Sequence, residues 1–318
     1  MIIYYADTQD GRLAAHLILQ NPEKVLIDEE KRLDPDYCLL NDIQDSRDIK
    51  LLPYIFKPNA TILDRANENE AVVCVGVGFN INNEVSLRRF NTMVNKARRV
   101  VFIDYLPKSK ILLEKYKDNE KIDFHHYEYE CLSSIVWYII MGKNESIPLI
   151  NGINQYIHKP IPDIKAIYQK MYIATLFSDP QDVVWDNLMN ETEEEAKYRY
   201  KTIAYAYDYM KQRLQIDIDR GAYYSYIGDL KVRCMSIQDA EYIPSVLYHK
   251  SLVTINWIYD GDSYLYKVYA DFDNFNCAEF AAKYNGIGTK HYGVFRSDDL
   301  LLYPHNRSRR NWWRENST

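Results

Sequence analysis

Short apolar runs that alternate with helical patterns dominate the first half of this chain. Strand-length and helix-like segments follow one another in this order: 1–5, 12–18, 71–77, 87–94, 99–104, 109–117, 130–141 and 163–176. Nearly continuous apolar strands are typical of parallel sheets, because the crossover helices of such sheets cover both faces. The pattern therefore predicts an α/β fold whose first domain is built on a doubly wound, mainly parallel sheet.

The second half of the chain has a different pattern. Acidic residues precede basic ones through residues 190–213, as the helix dipole prefers, and this predicts a long polar helix. Further on, apolar runs at 252–258 and 264–269 flank turn residues centred on Gly261, which predicts a hairpin. A helix at 276–284 and a short strand at 292–296 complete a smaller mixed α/β domain.

With 318 residues, the chain is long enough for two domains with separate cores. We expect a first domain at 1–189, a helical linker at 190–220 and a second domain at 221–318. We also expect a cleft between the two domains, since ligand sites of multidomain proteins are commonly found there.

Composition limits the partners and the cellular compartment that we expect for this protein. Its net charge of −6 argues against a broad surface that coats nucleic acid. The five cysteines are scattered without a C-x-x-C pair, and most lie in apolar segments, which predicts buried free thiols in a reducing compartment. No secretory signal or apolar run of membrane-spanning length is visible, so we expect a cytoplasmic protein with no membrane partner.

Aspartates at the ends of apolar runs are the main chemical signal. Asp10 with Asp7 nearby, Asp104 and Asp179 all follow strand-like or apolar segments. Carboxylates that converge bind hard divalent cations, and two such ions can clamp a phosphodiester and activate a water molecule. Taken singly, aspartates in these places more often cap helices or end strands.

Three other motifs each have two interpretations. The pair His125–His126 resembles metal ligands, although histidines at the end of a solvated edge strand explain it better. The glycines of Gly286–Ile287–Gly288 would allow a phosphate to approach the backbone, or would simply form a turn. Arginine and tryptophan in the tail at 307–314 suit single-stranded nucleic acid, or a terminus that packs on itself.

The order of these segments resembles that of the DHH phosphoesterase superfamily, which includes nanoRNases and RecJ-like nucleases. Residues 1–18 resemble its first motif, a strand followed by H-N-D-x-D-G and a helix, and 101–106 occupy the position of the D-H-H motif. Residues 71–80 occupy the position of the second motif. Residues 277–295 resemble its C-terminal substrate-binding domain. The resemblance implies a fold that hydrolyses phosphodiesters with two Mn²⁺ or Mg²⁺ ions.

The residues at the motif positions depart from the family pattern. Ala6 and Thr8 replace a histidine and an aspartate, Gly76, Val77 or Gly78 replaces the bridging aspartate, and Tyr105 and Leu106 replace both histidines of D-H-H. The resemblance implies catalytic roles for Asp10 and Asp104 and metal ligation by Asp10, Asp179 and, with a shift of one residue, Asp7. It implies substrate binding by Gly286, Gly288, Thr289 and His291.

A two-metal site needs about five or six protein ligands, including a carboxylate that bridges the ions. The leading hypothesis is therefore a pseudoenzyme that has lost this site, with no cofactor or with weakly bound Mn²⁺ or Mg²⁺. Under this hypothesis the cleft still binds a nucleotide or a short single-stranded oligonucleotide. The alternatives are an active phosphodiesterase with a remodelled site, and a structural subunit that binds a protein partner or a second copy of itself.

Overall fold

The computed structural model describes residues 1–26, 49–54, 70–78, 84–142, 147–176, 178–237, 240, 243–259 and 261–302. The chain divides into two compact units. The first contains Met1–His158 and Gln169–Lys197, and the second contains Lys159–Tyr168 and the chain from Tyr198 onward. The cleft expected between two domains stays a prediction.

The first unit is built on a five-stranded sheet in the order β2-β1-β3-β4-β5, and every neighbouring pair of strands is parallel. Its strands are β1 (Ile2–Ala6), β2 (Lys50–Tyr54), β3 (Ala71–Val75), β4 (Arg99–Asp104) and β5 (Ile122–His126). The helices are α1 (Gln9–Gln20), α2 (Pro22–Leu26), α3 (Glu84–Lys96), α4 (Pro107–Tyr116), α5 (Leu132–Met141), α6 (Pro148–His158), α7 (Ile164–Leu176) and α8 (Val184–Met189), of which α7 begins in the second unit.

Alternate residues of each central strand belong to two different apolar cores. In β1, Ile3 and Tyr5 pack in a core with residues of α1 and α5, such as Leu132. Tyr4 points to the other face, where Phe90 of α3 belongs to the second core. Helices therefore cover both faces of the sheet, as the nearly continuous apolar strands predict. The predicted doubly wound parallel sheet is confirmed.

The second unit contains a six-stranded sheet in the order β10-β11-β9-β8-β7-β6. Its strands are β6 (Tyr223–Ile227), β7 (Leu230–Met235), β8 (Val253–Tyr259), β9 (Tyr264–Tyr269), β10 (Ile287–Gly288) and β11 (Tyr292–Ser297), and its helices are α9 (Glu193–Gly221), α10 (Pro244–Leu247) and α11 (Cys277–Ala282). The pair β7–β8 is parallel and the other pairs are antiparallel. The sheet is therefore mixed, and β8 and β9 form the hairpin that the turn residues predict.

Helix α9 accounts for the long polar helix expected after residue 190, and most of it belongs to the second unit. Cys74, Cys131, Cys234 and Cys277 are buried free thiols, as predicted, while Cys38 and the tail at 307–314 lie outside the described residues. Burial raises the pKa of the Cys234 thiol to about 12. Within the described chain, no helix has both the length and the apolar character needed to cross a membrane.

Candidate functional site

Asp10 lies in the first turn of α1 and is 4% exposed. Its Oδ2 accepts a hydrogen bond from the amide of Leu132 (2.7 Å), and its Oδ1 accepts from the amide (2.9 Å) and the hydroxyl (2.6 Å) of Ser133. These amides lie in the first turn of α5, where an α-helix has no internal hydrogen-bond acceptor for them. Burial raises the pKa of Asp10, and the hydrogen bonds from Ser133 and Leu132 oppose that rise. The carboxylate therefore joins α1 to the start of α5.

Asp104 ends β4 and is fully buried. Its Oδ1 accepts hydrogen bonds from the amides of Tyr105 (2.7 Å) and Leu106 (3.1 Å), and its Oδ2 accepts from the hydroxyl of Ser109 (2.6 Å). Burial raises the pKa of this carboxyl group, while these donors and the nearby His126 oppose the rise. Asp104 thus binds the amides and the serine at the start of α4. The helix-capping interpretation describes the contacts of Asp10, whereas Asp104 binds the loop that leads into α4. The catalytic roles of both residues stay predictions.

Gly76 follows β3 and is one of three positions, with Val77 and Gly78, at which the resemblance places a bridging aspartate. Its φ of +65° is strained for any residue with a side chain, and its amide donates to the carbonyl of Ile103 (2.9 Å). A Cβ added here would lie 2.5 Å from Cδ1 of Leu132 and 3.0 Å from Cβ of Ala6. Both neighbours pack in the apolar core on one face of the sheet. A side chain at Gly76 would therefore have to displace the end of the Leu132 side chain.

Asp7 and Asp179 lie near the hydroxyl of Tyr5. Burial raises the pKa of Tyr5, the negative charges of Asp7 and Asp179 raise it further, and the positive charge of Arg12 opposes them. Arg12 binds Oδ1 of Asp7 through Nε (2.9 Å) and Nη2 (2.7 Å), and its Nη1 lies 3.4 Å from the carbonyl of Ser178. Asp179 is exposed, and its backbone carbonyl accepts the indole N–H of a tryptophan on α8. The positive charge of Arg12 therefore offsets part of the negative charge of Asp7 and Asp179.

The predicted metal ligands do not form one ligand set. Asp7 is paired with Arg12, Asp10 binds the start of α5, and Asp179 is exposed. Among the residues that the structure describes, no group of three or more histidine, cysteine, aspartate or glutamate side chains could hold a metal ion. Metal ligation by these aspartates stays a prediction.

His158, at the end of α6, is a polar residue that the sequence motifs do not reveal. Its ring packs edge-on against Tyr105, with ring centroids 5.3 Å apart, and it hydrogen-bonds the backbone of Glu130. Its Nε2 is buried and has no hydrogen-bond partner in the described part of the chain. Burial lowers the pKa of His158, while the negative charges of Asp10 and Glu130 oppose that change. No short motif surrounds His158, so only the fold brings it to this edge of the sheet.

We expect His158 to destabilise the folded state as the pH falls below the ordinary histidine pKa of 6.5. The unfolded chain then takes up a proton that the folded state binds less well, because burial lowers the pKa of His158. Urea midpoints measured at about pH 5 and about pH 7.5 test this. His158→Asn should reduce the difference between the two midpoints, and His249→Asn should not. The same pH dependence in His158→Asn would contradict the prediction.

His16 is a second polar residue for which the motifs predict no role. It is 1% exposed on α1, with Nδ1 2.8 Å from the carbonyl oxygen of Pro180 and Nε2 3.1 Å from Oδ1 of Asp186. Its only sequence signal is a histidine among apolar residues on the inward face of a helix. These contacts hold the chain around Pro180, and with it Asp179, against α1.

The predicted substrate-binding residues lie in and beside the β10–β11 hairpin of the second unit. A Cβ added to Gly286 would overlap the carbonyl oxygen of Val294, and one added to Gly288 would overlap that of Tyr292. Glycine is therefore required here for close backbone packing. The amide of Thr289 donates to the carbonyl of Tyr292 (2.7 Å).

The side chain of His291 lies near the end of β9. Its Nδ1 is 3.2 Å from the carbonyl oxygen of Ala270 and 3.9 Å from Oδ1 of Asp271. The loop predicted at 285–289 contains the short strand β10. Substrate binding by Gly286, Gly288, Thr289 and His291 stays a prediction.

His125 and His126 end β5, an edge strand of the first sheet. Nε2 of His126 lies 2.9 Å from the carbonyl oxygen of Leu106. This placement agrees with the interpretation of the pair as histidines at the end of an edge strand.

No known family profile matches this chain, and no curated protein matches it. Among solved structures, a pGpG-specific phosphodiesterase from Vibrio cholerae is 12% identical, with 93% of this chain and 92% of that one covered and a TM-score of 0.38. An exopolyphosphatase-related protein from Bacteroides fragilis is 11% identical, with 94% and 87% covered and a TM-score of 0.42. An uncharacterized protein from Helicobacter pylori G27 is 11% identical, with 95% and 94% covered and a TM-score of 0.31. At these identities and TM-scores, the likeness assigns neither a family nor an activity to this chain.

Proposed function

We propose that this protein is a phosphoesterase-type pseudoenzyme, which does not hydrolyse phosphodiesters by a two-metal mechanism. The observation that carries the proposal is the hydrogen bonding of Asp10, because both of its carboxylate oxygens accept donors from the first turn of α5. These three donors occupy three of the roughly four acceptor positions of the carboxylate, so a cation bound by both oxygens would displace at least one of them. Each buried donor left unpaired costs about 1–3 kcal/mol.

The surroundings of Gly76 and Tyr105 support the same proposal. A pair of metal ions needs a bridging carboxylate, yet none of Gly76, Val77 and Gly78 has one, and a side chain at Gly76 would have to displace Leu132. Tyr105, at a D-H-H histidine position, packs against the apolar core and His158. An apolar core and an aromatic ring do not supply the oxygen ligands that Mn²⁺ and Mg²⁺ prefer. The residues at the motif positions therefore do not fit a two-metal centre.

The second part of the proposal is that the protein binds a nucleotide or a short single-stranded oligonucleotide. It is supported by the order of the sequence motifs and by the presence of both kinds of sheet that this order predicts. Thermal unfolding with a panel of mononucleotides, dinucleotides and short oligoribonucleotides tests it. A ligand at about a hundredfold its Kd should stabilise the protein by about 2.7 kcal/mol.

Two histidine variants provide the control for that experiment. His291→Ala should weaken stabilisation by the ligand, whereas His249→Ala, in the same unit, should leave it unchanged. If no member of the panel raises the unfolding temperature, the nucleotide part of the proposal is wrong and a structural subunit becomes the better hypothesis.

An active phosphodiesterase with one weakly bound Mn²⁺ or Mg²⁺ is the second candidate. It is favoured by the two carboxylates of Asp7 and Asp179, whose charges both act on the hydroxyl of Tyr5. Mg²⁺ binds with few protein ligands and keeps several waters, so two carboxylates are compatible with such a site.

Incubation of the purified protein with Mn²⁺ and short oligoribonucleotides separates the two candidates. We expect no turnover. Asp179→Asn is the informative variant because Asp179 is exposed, so its replacement leaves the buried contacts of Asp10 intact. Turnover in the wild type that disappears in Asp179→Asn would replace the pseudoenzyme proposal with the second candidate.

A further inference from the structure

Helix α9 is apolar on two opposite faces. Its inward face contains Ile203, Tyr207, Leu214 and Ile218, all buried. Its other face carries Tyr198, Tyr205, Tyr209 and Ile216, with exposed fractions of 76%, 82%, 72% and 43%. A surface helix normally has one apolar face and an opposite face that is polar. We call these four exposed residues the outer stripe.

The outer stripe has the spacing of a helix-pairing seam. Tyr198 and Tyr205 are one heptad apart, as are Tyr209 and Ile216. Together with Thr202 and Gln212 they form a series whose steps alternate between four and three residues. This is the spacing of a and d positions in a coiled coil. At 1.5 Å per residue the stripe is about 27 Å long. Tyrosine, moreover, is enriched at protein interfaces, where its ring packs and its hydroxyl stays hydrated.

The charges beside the stripe are complementary to those of a second, antiparallel α9. Lys201 and Asp208 are both exposed, and each lies three residues after a stripe tyrosine, on the same side of the helix. When Tyr198 of one copy faces Tyr209 of the other, Lys201 of each copy faces Asp208 of the other and Tyr205 faces Thr202, while Ile216 lies just beyond the N-terminal end of the other α9. Two-fold symmetry then forms this ion pair twice.

The ends of the helix favour the same direction. In the antiparallel arrangement the acidic first turn, with Glu195, lies alongside Arg213 of the second copy. A parallel arrangement would place the two acidic first turns side by side, where they repel. Helix dipoles also oppose parallel alignment.

We propose that the outer stripe of α9 binds the outer stripe of a second copy of this chain, and that the two helices are antiparallel. The inference rests on the exposure, spacing and charge of α9 alone and does not depend on nucleotide binding or on catalysis. The protein is accordingly a homodimer in which α9 forms an isologous interface.

Light scattering coupled to size-exclusion chromatography tests the dimer with the full chain. We expect a mass twice the 37.7 kDa of one chain. Tyr205→Glu combined with Tyr209→Glu should give the mass of one chain, because charged residues would face the second copy. Tyr129→Glu, a matched change of a tyrosine that is 80% exposed in the first unit, should remain dimeric. A wild type that is monomeric from about 1 to about 100 µM, or a stripe variant that dimerises as well as the wild type, would overturn the proposal.

A charge exchange tests the antiparallel register without changing a stripe residue. Lys201→Asp and Asp208→Lys should each raise the Kd of the dimer about tenfold, because like charges then face each other across the interface. The double variant exchanges both charges and should recover the wild-type Kd. If it is as weak as the sum of the single changes, the antiparallel register is wrong. Because these side chains are exposed, the exchange remains decisive even if the tyrosine variant unfolds.

Discussion

Replacing Asp10 by alanine is expected to lower the free energy of unfolding of the first unit by about 3–5 kcal/mol. The substitution leaves the amides of Leu132 and Ser133 and the hydroxyl of Ser133 without their acceptor in a buried place. Each orphaned donor costs about 1–3 kcal/mol, and loss of a helix cap alone costs about 0.5–2 kcal/mol. Urea unfolding followed by circular dichroism and tryptophan fluorescence measures the loss.

Three comparison variants show whether that loss comes from the predicted contacts. Asp179→Ala, at an exposed carboxylate, should change stability by no more than about 0.5 kcal/mol. Ser133→Ala removes one hydroxyl donor, and the double variant with Asp10→Ala should lose less than the sum of the two single changes, because the residues share a hydrogen bond. Asp10→Asn keeps an acceptor and should lose less than Asp10→Ala. If Asp10→Ala is as mild as Asp179→Ala, the carboxylate is not needed by α5 and is free to serve as a ligand, which would remove the main support for the pseudoenzyme proposal.

Replacing Gly76 by alanine is expected to lower the free energy of unfolding by about 3 kcal/mol. The left-handed φ of +65° costs a residue with a Cβ about 1–2 kcal/mol. The overlap of that Cβ with Leu132 adds about 1–3 kcal/mol, because the packed core has to shift to accommodate it. Urea unfolding again measures the change.

Gly228 provides the matched control for Gly76. Its φ of +59° is close to that of Gly76, and among the described residues nothing lies within 4 Å of an added Cβ. Gly228→Ala therefore reports the backbone strain alone, and the difference between the two variants reports the overlap with Leu132. Equal losses in the two variants would mean that the core around Gly76 has room for a side chain, and the argument against a carboxylate at this position would fail.

Several features of the fold could be predicted from the sequence because their causes lie close together in the chain. The parallel sheet follows from apolar strands such as 71–77, which alternate with helices and need no knowledge of their partners. The β8–β9 hairpin follows from turn residues between two apolar runs. Helix α4 begins just after Asp104, whose carboxylate binds amides within two residues and a serine five residues on. Pro107, at the first position of α4, is a readable helix-start signal.

The contacts that decide the chemistry of the first unit could not be predicted in this way. Asp10 binds the start of α5, 122 residues further along the chain, so its own neighbours resemble a metal-binding turn. Gly76 is confined by Leu132, far from it in sequence, and His158 reaches Tyr105 from the end of another helix. Local patterns, by themselves, determined strands such as β1, β3 and β4, the β8–β9 hairpin and the long helix α9, because propensity and periodicity act over a few residues. Only the tertiary structure decided that the carboxylate of Asp10 is already bound by helix amides and that the space beside Gly76 is already filled, because both depend on chain segments that meet only after folding.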